Sequence, residues 1–386
     1  QPDIWMQITI PSEFSPVGKF NIGCSAGIET NACHQDWIHG LNRMDVNFVS
    51  SEHSQAVFRD TRYEETRKDG TKTMLICNKP IEILFEGLNL EKYKTLKPKE
   101  IKSVKLTQLI ESFAFLFVGH FISGDDSKFE DRKNVNGLIK EFLETFKNKR
   151  GPKPALILKM SGSGCSYSDK YRMLKKIDQL KKLVKGNLPN IYLIHGELSD
   201  EEMNELYNHP RIKAMVSLTR GEGYGRPLLE FTQAKKPIIA SGWSGQKDFL
   251  DKDLSILLPG KIKKLEKESI NQWFIPDSQW FDVDLKAVRF TLNTVYKDYE
   301  KYLNLAKKQG TINKEKFSYA KMKEALWDIL KRNNAPTEGV TQAKEVRLNL
   351  PKLKKKVGKF SNIPLPTVAK RTPIKVPKIN FPKLKK

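Results

Sequence analysis

Residues 219–230 read Thr219-Arg220-Gly221-Glu222-Gly223-Tyr224-Gly225-Arg226-Pro227-Leu228-Leu229-Glu230. Two carboxylates, Glu222 and Glu230, stand eight positions apart around two glycines, an aromatic residue and a proline. Pro227 suits the first turn of a helix, where a missing N–H leaves nothing unsatisfied. Gly223 and Gly225 let bare backbone N–H groups approach an anion. Glu222 then lies in the loop, and Glu230, on the helix that follows, turns back toward the same cleft. Such a loop-to-helix junction suits a nucleotide sugar: amides for phosphate, carboxylates for sugar and ribose hydroxyls.

Outward from this stretch the chain has a βαβ rhythm. Strands at 113–118, 155–160, 191–194, 214–218 and 237–240 alternate with helices at about 134–149, 169–185, 200–207 and 227–234. Apolar strands without alternation predict a parallel sheet covered on both faces. Residues 285–331 read as helical. Residues 1–97 alternate short strands and polar helices, with a strand at 4–11, a strand at 46–51 running into a cap at Ser50 or Ser51, and a strand at 81–87. The lysine-rich stretch 98–112 reads as a linker. The expected division is therefore an N-terminal domain over 1–97, a C-terminal domain over 98–332 and a tail over 333–386.

The 219–230 stretch resembles the E-x7-E signature, E-G-[FY]-G-x-P-x-x-E, of the retaining glycosyltransferases of the GT-B fold (group 1, or glycosyltransferase family 4). Further motifs in the family's order support the resemblance. Phe117-Val118-Gly119-His120 ends a strand, and Asp131-Arg132-Lys133-Asn134 opens a helix as the family's phosphate-binding lysine does. His195-Gly196-Glu197-Leu198-Ser199-Asp200-Glu201-Glu202 matches the family's G-x-L-S-x-x-E loop near the nucleobase. Lys236-Pro237-Ile238-Ile239-Ala240-Ser241 resembles the next strand, and Ser244-Gly245-Gln246-Lys247-Asp248-Phe249 the glycine loop after it.

The resemblance implies an α/β fold of two Rossmann-like domains facing across a cleft. It covers about residues 1–330. The family's N-terminal domain has several βα units before the point where Ile4 begins a strand, so the N-terminal domain is expected to be incomplete. The implied activity is metal-independent transfer of a sugar from a nucleoside-diphosphate sugar, a co-substrate rather than a cofactor. Lys133 and Arg132 match the phosphate cations, with Lys159 as another candidate. His120 stands where the family often has an arginine, and a histidine donates less reliably at neutral pH. Glu230 would accept from ribose hydroxyls and Glu222 from the donor sugar. The amides of Gly223, Tyr224, Gly225 and Leu228 would complete the pocket. Glu29 falls about where the family carries its cleft residue on the N-terminal side, and it reads equally as a helix-capping acid. His34 and His39 read as polar surface. Trp37 and Trp243 could stack on sugars, although buried core is the commoner fate of tryptophan.

The 386 residues carry a net charge of +23, and residues 333–386 hold 14 Lys and Arg against 2 Asp and Glu. This tail repeats Leu350-Pro351-Lys352-Leu353-Lys354-Lys355 as Phe381-Pro382-Lys383-Leu384-Lys385-Lys386. Its prolines exclude a long helix and its lysines resist collapse, so an extended, disordered basic arm is expected. Basic body and arm favour anionic company: nucleic acid or an anionic membrane surface as well as nucleoside diphosphates. The acceptor is open among a glycan, a lipid-linked glycan, a protein and DNA, the last because some phages encode GT-B enzymes that glucosylate DNA bases. The alternative is a catalytically relic GT-B binding protein anchored through the arm. Four cysteines without metal spacing fit a reducing cytoplasm, the host's if the gene is phage-borne. No apolar run reaches the ~20 residues of a membrane helix. Asp282-Val283-Asp284 is a literal D-x-D, read as cap and solvated charge rather than a metal site.

Overall fold

The computed structural model describes residues 1–121, 131–162, 164–272 and 274–337. In chain order the first part comprises β1 (Ile4–Ile8), β2 (Phe20–Ser25), α1 (Gln35–Arg43), β3 (Val46–Val49), α2 (Glu52–Asp60), β4 (Tyr63–Thr66), β5 (Lys72–Leu75) and β6 (Ile81–Ile83). β1, β2, β3 and β6 pair in that order, all parallel. β3 is buried along its whole length, as a short apolar strand covered on both faces should be. Ser51 is the cap expected at its end: its hydroxyl accepts from the Ser54 amide at 3.2 Å and starts α2.

The second part runs β7 (Ala114–His120), α3 (Val135–Phe146), β8 (Ala155–Ser161), α4 (Tyr167–Leu183), β9 (Ile191–Ile194), α5 (Asp200–Asn208), β10 (Ile212–Ser217), α6 (Arg226–Phe231), β11 (Ile238–Ser241) and β12 (Ile256–Leu258). The parallel sheet has the order β12-β11-β10-β7-β8-β9. One face packs Phe115 and Phe117 against Leu138, Phe142 and Phe146 of α3. The other packs Leu116, Ile157 and Met215 against Leu206, Tyr207 and Phe231. Strand order reverses between β7 and β10, and in open α/β sheets ligands bind beyond the carboxyl ends of the strands at such a reversal.

A hairpin of β13 (Gly260–Lys264) and β14 (Gln279–Val283) leads into α7 (Leu285–Lys297), α8 (Tyr299–Lys316) and α9 (Tyr319–Arg332). α9 returns to the first sheet, where Ile329 and Leu330 pack with Ile22, Val46 and Phe48. There Glu82 accepts from Arg332 Nε at 3.0 Å and from Asn333 Nδ2 at 2.8 Å.

Three local readings change. Residues 98–112 do not run free: Val104, Leu106 and Leu109 join the core, and the Ser103 and Val104 amides donate to Glu205. Asp282 is not simply solvated, because the buried Arg220 guanidinium pairs with it, while Asp284 caps α7. His34 and His39 are more than polar surface: His34 caps α1, and His39 Nε2 lies 2.7 Å from Glu65. Among the described residues no helix is long and apolar enough to cross a membrane. The proline- and lysine-rich tail beyond residue 337 lies outside the described residues, as does Ser163 in the turn after Lys159.

Candidate active site at the strand reversal

The connections after β7 and β10 meet at the reversal. Asp131, buried, accepts from the Val135 amide and starts α3. Asn134 takes the left-handed conformation, φ 52°, just before it. Arg132 and Lys133 are thereby held where the Arg132 carbonyl accepts from the Arg220 amide at 2.7 Å, tying this connection to the one after β10.

Glu222 is buried, and Lys133 Nζ donates to both its oxygens at 2.6 and 2.8 Å. Arg132 Nη1 donates to the Gly221 carbonyl at 2.9 Å and to Glu222 at 3.2 Å, while its Nη2 lies 3.5 Å from Glu29. Four of the sequence candidates, Glu29, Arg132, Lys133 and Glu222, thus form one cluster of two acids and two bases. Glu29 caps no helix; it enters from the first sheet and faces Arg132. Burial alone would raise the Glu222 carboxyl, but Lys133 and Arg132 outweigh it and hold the group at about 2.

That shift predicts a pH dependence. The carboxyl is depressed in the folded chain, so its contribution is complete above the ordinary value near 4.5 and is lost as pH falls toward about 2. The contribution is on the order of 3 kcal/mol. Thermal melts between those two pH values should show a steeper loss of stability for the wild type than for Glu222→Gln.

Glu230 has its own partners. Arg226 Nε donates to it at 2.9 Å, one helical turn away, and the buried Tyr207 hydroxyl donates at 3.3 Å. Burial raises the Glu230 carboxyl, and Arg226 opposes this. Glu86, missed in the sequence, lies within the field of both groups of residues: burial raises it, Arg226 lowers it and Glu222 raises it. The sequence signal for Arg226 was its i,i+4 spacing to Glu230; Glu86 carried none.

The glycines have a steric reason that their own stretch of sequence does not show. A Cβ on Gly221 would lie 1.8 Å from the Glu29 carbonyl oxygen, and one on Gly223 would lie 2.2 Å from that of Ala26. They let the two connections touch backbone to backbone. Gly225 adopts φ 99° at the entrance of α6. The Leu228 amide is turned inward to the Gly225 carbonyl at 2.9 Å, as the first helical turn requires, so it does not face a pocket. Tyr224 is buried against Phe249, and its hydroxyl has no partner among the described residues. Ser50 and Ser51 donate to the Gly223 carbonyl, and Ser244 accepts from the Glu222 amide at 2.9 Å.

The remaining candidates sit toward β8 and β9. Lys159 Nζ donates to the Gly196 carbonyl at 2.7 Å instead of standing free. His120 is exposed beside Ser161. The His195 side chain is 5% exposed and pairs with Asp169 at 2.8 Å. Trp37 is core against Phe58, whereas Trp243 stacks on Phe281 and meets the buried ring of His53.

Solved structures similar to this chain in fold include Anabaena HepE in complex with UDP and glucose, 15% identical over 81% of this chain and 72% of that one, with a TM-score of 0.55. Sucrose-phosphate synthase of Thermosynechococcus elongatus is 14% identical over 83% and 69%, with a TM-score of 0.57. The N-terminal domain of Candida albicans trehalose-6-phosphate phosphatase is 14% identical over 86% and 72%, with a TM-score of 0.53. The fold is GT-B. No protein-family model matches the chain, and no curated protein matches it in sequence. Within the GT-B frame, Lys133 and Glu222 occupy the strand reversal of the second sheet and Glu29 reaches them from the first.

Proposed function

We propose that the chain is a glycosyltransferase that moves a sugar from a nucleoside-diphosphate sugar to an acceptor, with retention and without a metal ion. The observation that carries this reading is the cluster of Lys133 and Arg132 on the buried Glu222 carboxylate at the strand reversal. Cleavage of a sugar–phosphate bond puts negative charge on the departing diphosphate, and fixed cations in a dry site stabilise it well. Lys133 and Arg132 are such cations. Without donor they are neutralised by Glu222 and Glu29; a diphosphate would share them, leaving Glu222 to accept from sugar hydroxyls. Glu230, aligned by Arg226 and Tyr207, would accept from the ribose. Because HepE holds UDP and UDP-glucose, a UDP-sugar is the first donor to try, and a cytoplasmic setting would supply it.

A thermal-shift screen against UDP-, GDP- and ADP-sugars tests the reading. One nucleotide should raise the melting midpoint, and Glu222→Gln should abolish donor hydrolysis and transfer. Donor binding with no turnover in either form would instead favour a relic GT-B binding protein, and no binding at all would overturn both.

A further inference from the structure

The turn after β11 holds Ser244 at φ 71° and ψ −161°. Backbone in that region is essentially reserved for glycine, because a Cβ there crowds the neighbouring peptides. Asn134 and Lys235 also have positive φ, but both are left-handed helical residues at a helix end, a commoner state. Ser244 is 4% exposed, and the glycine of this turn stands beside it, at 245. Such a conformation persists only where its surroundings over-determine it, and it concentrates at functional sites.

The surroundings here are Glu222. The Ser244 hydroxyl accepts from the Glu222 amide at 2.9 Å, and the Gly245 amide donates to the Glu222 carbonyl at 3.0 Å. One dipeptide thus clamps both backbone groups of the glutamate. The hydroxyl is fixed in turn, with the Trp243 carbonyl at 2.6 Å and the Gln246 side-chain oxygen at 3.1 Å as acceptors for its single proton. Gln246 is fully buried and donates to the Ser241 carbonyl at 2.9 Å. Position 245 has its own need for glycine, since a Cβ there would lie 2.2 Å from the Gly223 carbonyl oxygen. Glycine at 244 would relax the backbone and remove the hydroxyl from the Glu222 amide.

We infer that Ser244 is a positioning residue, whose strained backbone holds Glu222 in place from behind while Lys133 and Arg132 hold its carboxylate from in front. A group fixed at both ends is what a preorganised site requires. This role rests on Glu222 being the donor-sugar group proposed above.

Ser244→Ala and Ser244→Gly in the full chain test it. Both lose the hydroxyl, and only alanine keeps the strain. At an ordinary position glycine is the less stable of the two. Here the order should invert, with Ser244→Gly melting about 2 °C or more above Ser244→Ala. Transfer at saturating donor should fall about tenfold or more in both, since small misplacements at a reacting centre cost up to about a hundredfold. Activity then fails to follow stability, which a merely structural serine would not produce. A second readout needs no substrate. Lys133 and Arg132 hold the Glu222 carboxyl at about 2, with Glu86 also in its field. A loosened Glu222 should make the loss of stability below pH 4.5 shallower in both variants than in wild type, toward that of Glu222→Gln. Ser244→Gly melting at or below Ser244→Ala overturns the inference, as does wild-type turnover in either variant. If the wild type itself turns over no donor, the transferase reading fails and the acid limb decides: unchanged steepness overturns the role of Ser244, and a shallower limb upholds it.

Discussion

Lys133→Met should destabilise the folded chain by about 3 kcal/mol and abolish measurable donor binding. Glu222 is buried and takes both its shortest hydrogen bonds from Lys133 Nζ. Removing one partner of a buried ion pair leaves a desolvated charge, which costs about 3–5 kcal/mol. Arg132 remains at 3.2 Å from the carboxylate, so the lower end of that range applies. The double variant Lys133→Met/Glu222→Gln should recover much of the stability, because no buried charge is stranded, and should recover none of the binding. Urea unfolding of the four forms gives the coupling energy directly, and titration with the nucleotide sugar gives the binding arm. Full stability in Lys133→Met would mean that the pair is not formed in solution. Unimpaired donor binding would remove Lys133 from the proposed site. Lys133→Arg is not a safe control, since a bulkier guanidinium would have to fit beside Arg132 on the same carboxylate where a compact ammonium now sits.

Gly221→Ala should cost about 3 kcal/mol, the upper end for overpacking, and should separate the two connections that build the cluster. Its Cβ would meet the Glu29 carbonyl oxygen at 1.8 Å, and backbone cannot swing aside as a flexible side-chain tip can. Trp243 closes the other side at 3.0 Å. Relief requires the Ala26–Glu29 loop to move away, taking Glu29 from Arg132. The expected readout is a lowered urea midpoint together with faster proteolysis near residues 26–30. Gly164→Ala is the matched control: nothing lies within 4 Å of its added Cβ, so its midpoint should stay at the wild-type value.

The second sheet was legible because its strands are unbroken apolar runs. The apolar runs Phe113–Val118 and Ala155–Met160 differ from β7 and β8 by a residue or two at the ends. The hairpins were not legible. β4 and β5 read Tyr-Glu-Glu-Thr and Lys-Thr-Met-Leu, mostly polar, and only the paired Tyr63 and Leu75 reach the core, so context rather than composition sets the pairing. At the site, Lys133 and Glu222 were named through resemblance; nothing in their own spacing announces a contact across 89 residues. The glycines show the limit most sharply. Gly223 was read as an opening for an anion and Gly221 was given no role, yet a side chain at either would meet the backbone at Ala26 or Glu29, almost 200 positions earlier. A residue chosen for what it must not touch leaves no trace of its neighbour in the local sequence.

The return of α9 has a consequence for synthesis. Glu82 waits for Arg332 across 250 residues, and until then the side of the first sheet made by Ile22, Val46 and Phe48 lacks its cover. At ribosomal speeds of about 5–20 residues per second, that apolar surface stands bare for roughly 10–50 seconds. The first sheet is therefore completed only when α9 arrives, and a nascent chain stalled before residue 319 should be a client for chaperones.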